Sequence, residues 1–312
     1  MRNHPPGRLL SSATLALLGL VIAGCGSRLQ APTAPASAAP SGKGAAVSPV
    51  APSSVTSAAD CGPASAFDPR NFTNSTRVNN RWYPLVPGTR FILEGRADRG
   101  GGVLPHRVVV VVTDLVKVVN GARAVVLWDR DFSSDTLVEA ELAFHAQDNA
   151  GNVWVLGEYP EEYEAGVFTG APNTWISGLA GAEGGLIVEG NPRVGDKYLQ
   201  GYVPDISFLD CARVLKMGEA TCVPTGCYQE VQIVAERSPL EPGSGTQLKY
   251  YAPGVGNVQI GAVGDKENET LVLVEVSRLG TQALREARRE ALKLEKRAYQ
   301  VSPVYQLTPP AQ

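Results

Sequence analysis

The chain has 312 residues, 44% of them hydrophobic and 19% charged, with a formal net charge of −3. These values argue against a disordered chain and against a polytopic membrane protein, and a mildly acidic protein gains nothing from counterion release, so no nucleic-acid partner is expected. Residues 1–24 read as a cleavable leader. Arg2 and Arg8 supply a positive start, and the apolar run from Leu9 to Ala23 is shorter than a membrane span and ends in small residues.

The leader closes on Val21-Ile22-Ala23-Gly24-Cys25, which resembles the bacterial lipobox, although Ile22 stands where that motif usually has leucine. The resemblance implies that Cys25 is diacylated, cleaved on its N-terminal side and then N-acylated, palmitate being one such acyl chain. Several acyl chains on one residue exceed what stable anchoring needs. The expected location is therefore the bacterial cell envelope, exported and lipid-anchored. Gly26 lacks the aspartate associated with inner-membrane retention, which favours the outer membrane in a Gram-negative cell. Residues 25–60 then run through Ala, Pro, Ser and Gly with almost no charge, the composition of a disordered tether.

About 210 residues follow as globular core, enough for one large β domain or two small ones without a metal. From residue 61 to 277 short apolar runs alternate with Gly, Pro, Asn and Asp, the pattern of an antiparallel all-β protein. Candidate strands are Arg90 to Gly95, Arg107 to Val119, Ala122 to Asp131, Thr136 to Gln147, Val153 to Glu158, Tyr163 to Thr169, Lys197 to Tyr202 and Ile206 to Met217. Others lie at Tyr228 to Arg237, Thr246 to Tyr251, Gly256 to Ile260 and Thr270 to Val276. Asn120-Gly121 and Asp148-Asn149-Ala150-Gly151 read as hairpin turns between them. The economical architecture is a meander curled into a barrel or a strongly bent sheet. Residues 278–300 carry one C-terminal amphipathic helix, with Leu284, Ala287, Ala291, Leu294 and Ala298 on one stripe and Thr281 as its expected cap. Its surplus of Arg and Lys suits a helix docked on the sheet, or a handle for anionic headgroups or an acidic partner. Residues 301–312, with three prolines, read as a loose tail.

Besides Cys25, four cysteines remain in an oxidising compartment. Cys222 and Cys227 flank a turn and could face each other, which leaves Cys61 for Cys211; pairing of Cys211 with Cys222 competes. No metal is expected on cysteines without histidine partners. The alternating Asp129, Asp131, Ser133 and Asp135 start like an EF-hand loop but lack its glycine and its last glutamate, and the turn at Asp148 is explained by turn chemistry. His145 should lie opposite Phe144 on a strand, with no serine context for a catalytic base. Glu158, Glu161, Glu162 and Glu164 read as a solvated acidic turn. Neither catalytic residues nor cofactors are expected. Trp128, Trp154, Trp175, Tyr198 and Tyr251 are candidates to line an apolar interior if the curled sheet is hollow.

Several segments occur together in order: Tyr83 to Phe91 (YPLVPGTRF), Ala146-Gln147-Asp148 with Gly151 to Trp154 and Gly157-Glu158, Asn191 to Tyr198 (NPRVGDKY), Pro239 to Gly243, and Tyr250 to Gly256 (YYAPGVG). Jointly, from Arg81 to Val276, they resemble a widespread group of uncharacterised bacterial secreted proteins and lipoproteins. The pattern is also similar to periplasmic proteins with a LolA-like half-barrel, which carry or sense lipids. Two expectations follow: a non-catalytic envelope lipoprotein of structural or partner-binding type, or a carrier of a lipid-like ligand held inside the sheet.

Overall fold

The computed structural model describes residues 61–62, 66–99, 102–241 and 243–312; the leader, Cys25 and the tether lie outside the described residues. The strands are β1 (Thr89–Asp98), β2 (Val103–Val119), β3 (Ala122–Ser133), β4 (Thr136–Gln147), β5 (Val153–Glu164), β6 (Val167–Gly170) and β7 (Trp175–Ile176). They continue with β8 (Glu183–Val188), β9 (Lys197–Val203), β10 (Phe208–Val223), β11 (Gly226–Arg237), β12 (Thr246–Ala252), β13 (Gly256–Val263) and β14 (Thr270–Arg278), and α1 (Thr281–Val301) follows.

Twelve of these strands form a closed antiparallel barrel, in the order β4-β3-β2-β1-β14-β13-β12-β11-β10-β9-β8-β5, with β5 returning to β4. Most neighbours are joined by short turns, because the sequence supplies turn residues where each run of alternation ends. Between β2 and β3, for example, Asn120 (φ 47°) and Gly121 (φ 84°) take the left-handed conformations that a two-residue hairpin demands. Two joins are not hairpins: β14 meets β1, and β5 reaches across to β8. β6 and β7 pair only with the far half of β5, outside the ring. The expected strand from Tyr163 to Thr169 is thus corrected: β5 runs on to Glu164 and the chain turns there, at Ala165 (φ 50°) and Gly166 (φ 76°). β8, with its Gly184-Gly185 pair, was not anticipated. A Cβ on Gly185 would lie 2.2 Å from Leu199 O, so close strand approach rather than side-chain patterning selects the residue there.

The two ends of the barrel are closed differently. Over one end lies the segment 66–88. Asn80 Nδ2 donates to Gly151 O (2.9 Å) and Glu189 O (3.0 Å), and Gly254 N donates to Arg81 O (2.7 Å), so the segment is tied to three turns around the rim. A cluster of charged side chains, described below, fills the opposite end.

α1 lies on the outer face across β2 and β4. Ala287, Ala291, Leu294 and Ala298 are buried beneath it, as is Glu295. Its cap is Gly280 rather than Thr281, which is already the first helical residue. Lys117, fully buried on β2, reaches Glu295 Oε1 (2.8 Å), Tyr299 Oη (3.0 Å) and Pro309 O (2.8 Å). A buried ammonium is tolerable only with its donors satisfied, so this lysine latches helix and tail to the barrel. The expected loose tail is corrected by the same contacts. Tyr305 is fully buried against Phe144, Tyr159 and Tyr299, and Gln312 exchanges two backbone hydrogen bonds of 2.9 Å with Val116. Its prolines prevent helix continuation but not packing.

Disulfides join Cys61 to Cys211 and Cys222 to Cys227. The first closes a sequence separation of 150 and the second one of 5. Loop-closure entropy then gives about 5 kcal/mol for the first and about 2 kcal/mol for the second. The Cys61→Ala/Cys211→Ala variant is therefore expected to unfold at lower urea than Cys222→Ala/Cys227→Ala, and the reverse order would refute the entropic account. Tyr305→Ala should cost about 3–5 kcal/mol in the same measurement; a loss below about 1 kcal/mol would show that the tail does not contribute to the core.

Candidate functional site

Because side chains alternate along a strand, closure of the ring sends every second residue into the lumen. On β3 and β4 four of those residues are acidic. Asp129 stands directly opposite Glu141, and Asp131 opposite Glu139. Like charges so placed repel, and here they are also removed from water. Glu158 on β5, Asp210 on β10 and Glu236 on β11 add further buried carboxyl groups. Burial and the neighbouring acids hold Glu139, Glu141 and Asp210 well above the ordinary carboxyl range. Burial also lifts Glu158 to about 8, against the hydrogen bond it accepts from Trp175 Nε1 at 2.9 Å. Glu236 is raised by burial as well, although Lys249 Nζ lies 3.8 Å away. At neutral pH several of these groups therefore keep their protons and can donate as well as accept.

At the end opposite the segment 66–88 the charges are compensated. His106 Nε2 lies 2.7 Å from Asp131 Oδ1, and His106 Nδ1 lies 2.9 Å from Glu269 Oε1. Arg99 stands 2.7 Å from Asp131 Oδ2, and Gln247 Nε2 donates to Glu269 Oε2 at 2.6 Å. Burial opposes the charged imidazole, but two carboxylate partners outweigh it and raise His106 to about 9. The ring is then an imidazolium at neutral pH, one link of a charged plug.

His145 is the contrasting case. It lies in the lumen while Phe144 faces the helix, fully buried with neither ring nitrogen hydrogen-bonded, and burial alone lowers it to about 3. Tyr83, from the segment over the barrel end, packs above it with ring centroids 5.6 Å apart, and Tyr251 lies 6.0 Å from Tyr83. Beside Tyr83 is a cavity of about 40 Å³, bounded by Leu85, Phe91, Leu93, Val110, Asp129 and Asn257 among others. A second hollow, of about 240 Å³, lies outside the ring between the end of α1 and the loops around Trp175 and Val203. Among the described residues no group of three or more His, Cys, Asp or Glu is arranged to hold a metal ion.

The five aromatic candidates do not gather around one interior space, which corrects that expectation. Trp128 lies under the Arg130 guanidinium (3.9 Å), and Trp154 packs on Phe67 and Phe72 while donating to Asp148. Trp175 stacks on Phe208 and borders the outer hollow. Tyr198, donating to Ile187 O, Tyr251, near Glu236, and Trp175, through its bond to Glu158, belong with the buried polar groups. A hydrogen-bonding indole or phenol group is drawn to any buried acceptor, and here the acceptors are dispersed. The acidic turn is corrected too: Glu158 and Glu161 are fully buried in β5, and Glu161 accepts from Tyr159, Tyr163 and Arg297 on the helix side. Asp148 serves its turn, accepting from Ala150 N, Asn152 N and Trp154 Nε1. The i,i+2 spacing of Asp129–Asp131 and Glu139–Glu141 was the signal for an acidic face, visible once both segments are read as strands.

These shifts set a pH dependence. Glu158 rises from 4.5 to about 8, so its contribution is complete below 4.5 and is lost as pH climbs through 8. His106 rises from 6.5 to about 9, so its contribution is complete below 6.5 and is lost as pH passes 9. His145 acts oppositely: its contribution is present above 6.5 and is lost as pH falls toward 3. The thermal midpoint is expected to fall between about pH 5 and pH 9, and Glu158→Gln to flatten the part below about pH 8. A midpoint that rises over that interval would contradict the assignment.

No family model matches the chain, and no curated protein matches it. Two solved structures do. One is a protein designated as exported, with a YmcC-like fold, from Bacteroides fragilis, at 12% identity, covering 64% of this chain and 100% of its own, with a TM-score of 0.34. The other is a protein designated a lipoprotein from Parabacteroides distasonis, at 16% identity, covering 64% of this chain and 99% of its own, also with a TM-score of 0.34. A likeness of that size carries no argument about what this chain does.

Proposed function

We propose that the chain is a non-catalytic lipoprotein of the bacterial envelope, held to the outer membrane through Cys25, and that it works by binding a protein partner on its outside. The observation that carries the reading is the arm formed by the ends of β10 and β11. Beyond Val214 and before Gln232 these strands have no ladder partner except each other among the described residues. The arm is stapled near its tip by Cys222–Cys227 and bends back so that Thr221 Oγ1 donates to Gln259 (2.7 Å). Its inner side rests on the barrel, Thr225 Oγ1 donating to Leu273 O, while its outer edges stay open, and exposed edges are templates for pairing with another chain. The rival reading, a carrier of a lipid-like ligand, fits less well. The lumen is filled with polar side chains, and its cavity of about 40 Å³ is far below the ~300 Å³ at which small-molecule sites begin.

Two measurements test the proposal. Cys25→Ala should abolish incorporation of an alkyne-labelled fatty acid and release the protein from the membrane fraction; retention on the membrane would end the anchored reading. A photo-crosslinking residue at Leu215 or Glu219 should yield one discrete envelope adduct that the same residue at Val194, on the β8–β9 turn, does not. Equal or absent adducts at all three positions would remove the arm from the proposal.

A further inference from the structure

The cavity beside Tyr83 combines features that an apolar hollow lacks. Its walls are Leu85, Leu93, Val110, Leu127 and the rings of Tyr83 and Phe91, and the Asp129 carboxylate stands among them. Asn257 completes the lining, and both polar atoms of its amide are buried without a hydrogen-bond partner. Behind the cavity the lumen is acidic: Asp129, Glu236, Glu141 and Glu158 all act on the Tyr83 phenol and, with burial, hold its proton on. Two further lumen side chains, Gln232 and His145, are fully buried, and none of their polar atoms has a partner. Apolar and aromatic walls, one carboxylate, a free amide and neighbouring acids that can give up protons together define what is complementary: a positive charge bearing N–H donors on a short hydrocarbon.

Size narrows the choice. A water needs roughly 10–15 Å³ of such volume, so about 40 Å³ admits two or three heavy atoms. We propose that this cavity is a binding site for a small primary alkylammonium ion of the size of methylammonium or ethylammonium, its ammonium on Asp129 and Asn257 and its carbon against Tyr83 and Phe91. The site is independent of the outer arm and of the lipid anchor. Occupancy supplies the lumen with a positive charge that protons otherwise provide, so binding is tighter at higher pH.

The test uses the purified full-length protein and saturation-transfer NMR, with ethylammonium and ethanol as equal-sized probes. Ethylammonium is expected to receive saturation, to be displaced by methylammonium, and to bind more tightly at pH 8 than at pH 5. Ethanol should bind at least about tenfold more weakly, the scale of one lost charged hydrogen bond. Asp129→Asn should weaken ethylammonium by a similar factor while leaving ethanol unchanged, and Asn257→Leu should weaken it less. Equal binding of the two probes to the wild-type protein would reduce the site to an apolar hollow and overturn the proposal, as would saturation of neither. That comparison needs no variant, so it stands even if Asp129→Asn fails to fold.

Discussion

Inside the barrel Asp129 faces Glu141 and Asp131 faces Glu139, two pairs of acids on one ladder with water excluded around them. Much of the interior is arranged to make that tolerable. At one end His106 and Arg99 lie among Asp131 and Glu269 and supply positive charge. In the middle burial and neighbouring acids prevail at Glu139, Glu141 and Glu158, at Glu139 against the pull of Arg99, and the acids stay protonated instead. Two solutions to one electrostatic problem thus divide the lumen, ion pairing where a cation can reach and neutralisation where it cannot. The raised carboxyl groups and the raised imidazole push stability in the same direction with pH, because each is bound more favourably with its proton on.

The outer surface solves a related problem by another route. Lys117 is carried inward beneath α1, and its three partners come from the helix and the tail, so a single buried charge fixes the position of some thirty residues that make no ladder with most of the barrel. Glu161 does the same from β5, receiving Arg297 and two tyrosines. Docking of α1 therefore rests on few apolar contacts, mostly alanine, and on charges that are costly to leave unpaired. This explains why a helix with so small an apolar stripe is held firmly.

The closed antiparallel architecture and the C-terminal helix were legible because period-two alternation and turn residues are local signals. The Asn120-Gly121 turn is the clearest example, since φ > 0 at both positions is written in the residue types. The pairs that close the ring were not legible: nothing local marks that β14 will meet β1 or that β5 will reach β8. The tail was misread because its prolines suggest looseness, whereas the deciding contact, Lys117 with Pro309 O, spans 192 positions. The lumen acids stand apart in the sequence: Asp129 and Asp131 are weighed against a cation loop they do not complete, and Glu158 is read within a solvated turn. Their meaning depends on a shared face that exists only after the strands pair. The aromatic residues did not mark one interior space: Trp175 and Tyr251 reach the buried acids Glu158 and Glu236, whereas Trp128 packs under Arg130 and Trp154 bonds to the turn at Asp148.

The junction of β1 with β14 brings Arg278 against Thr89 across 189 positions. The ring therefore cannot exist until nearly all of the β domain is present, and every shorter nascent length leaves the edge of β1 open and the acids of β3 and β4 in water. Loop closure over such distances is slow, and contacts this remote give folding a late, cooperative final step. The same long-range seam that closes the ring leaves two unmatched strand edges open until the last strand has joined, so the chain is most exposed to wrong pairing just before its folding is complete.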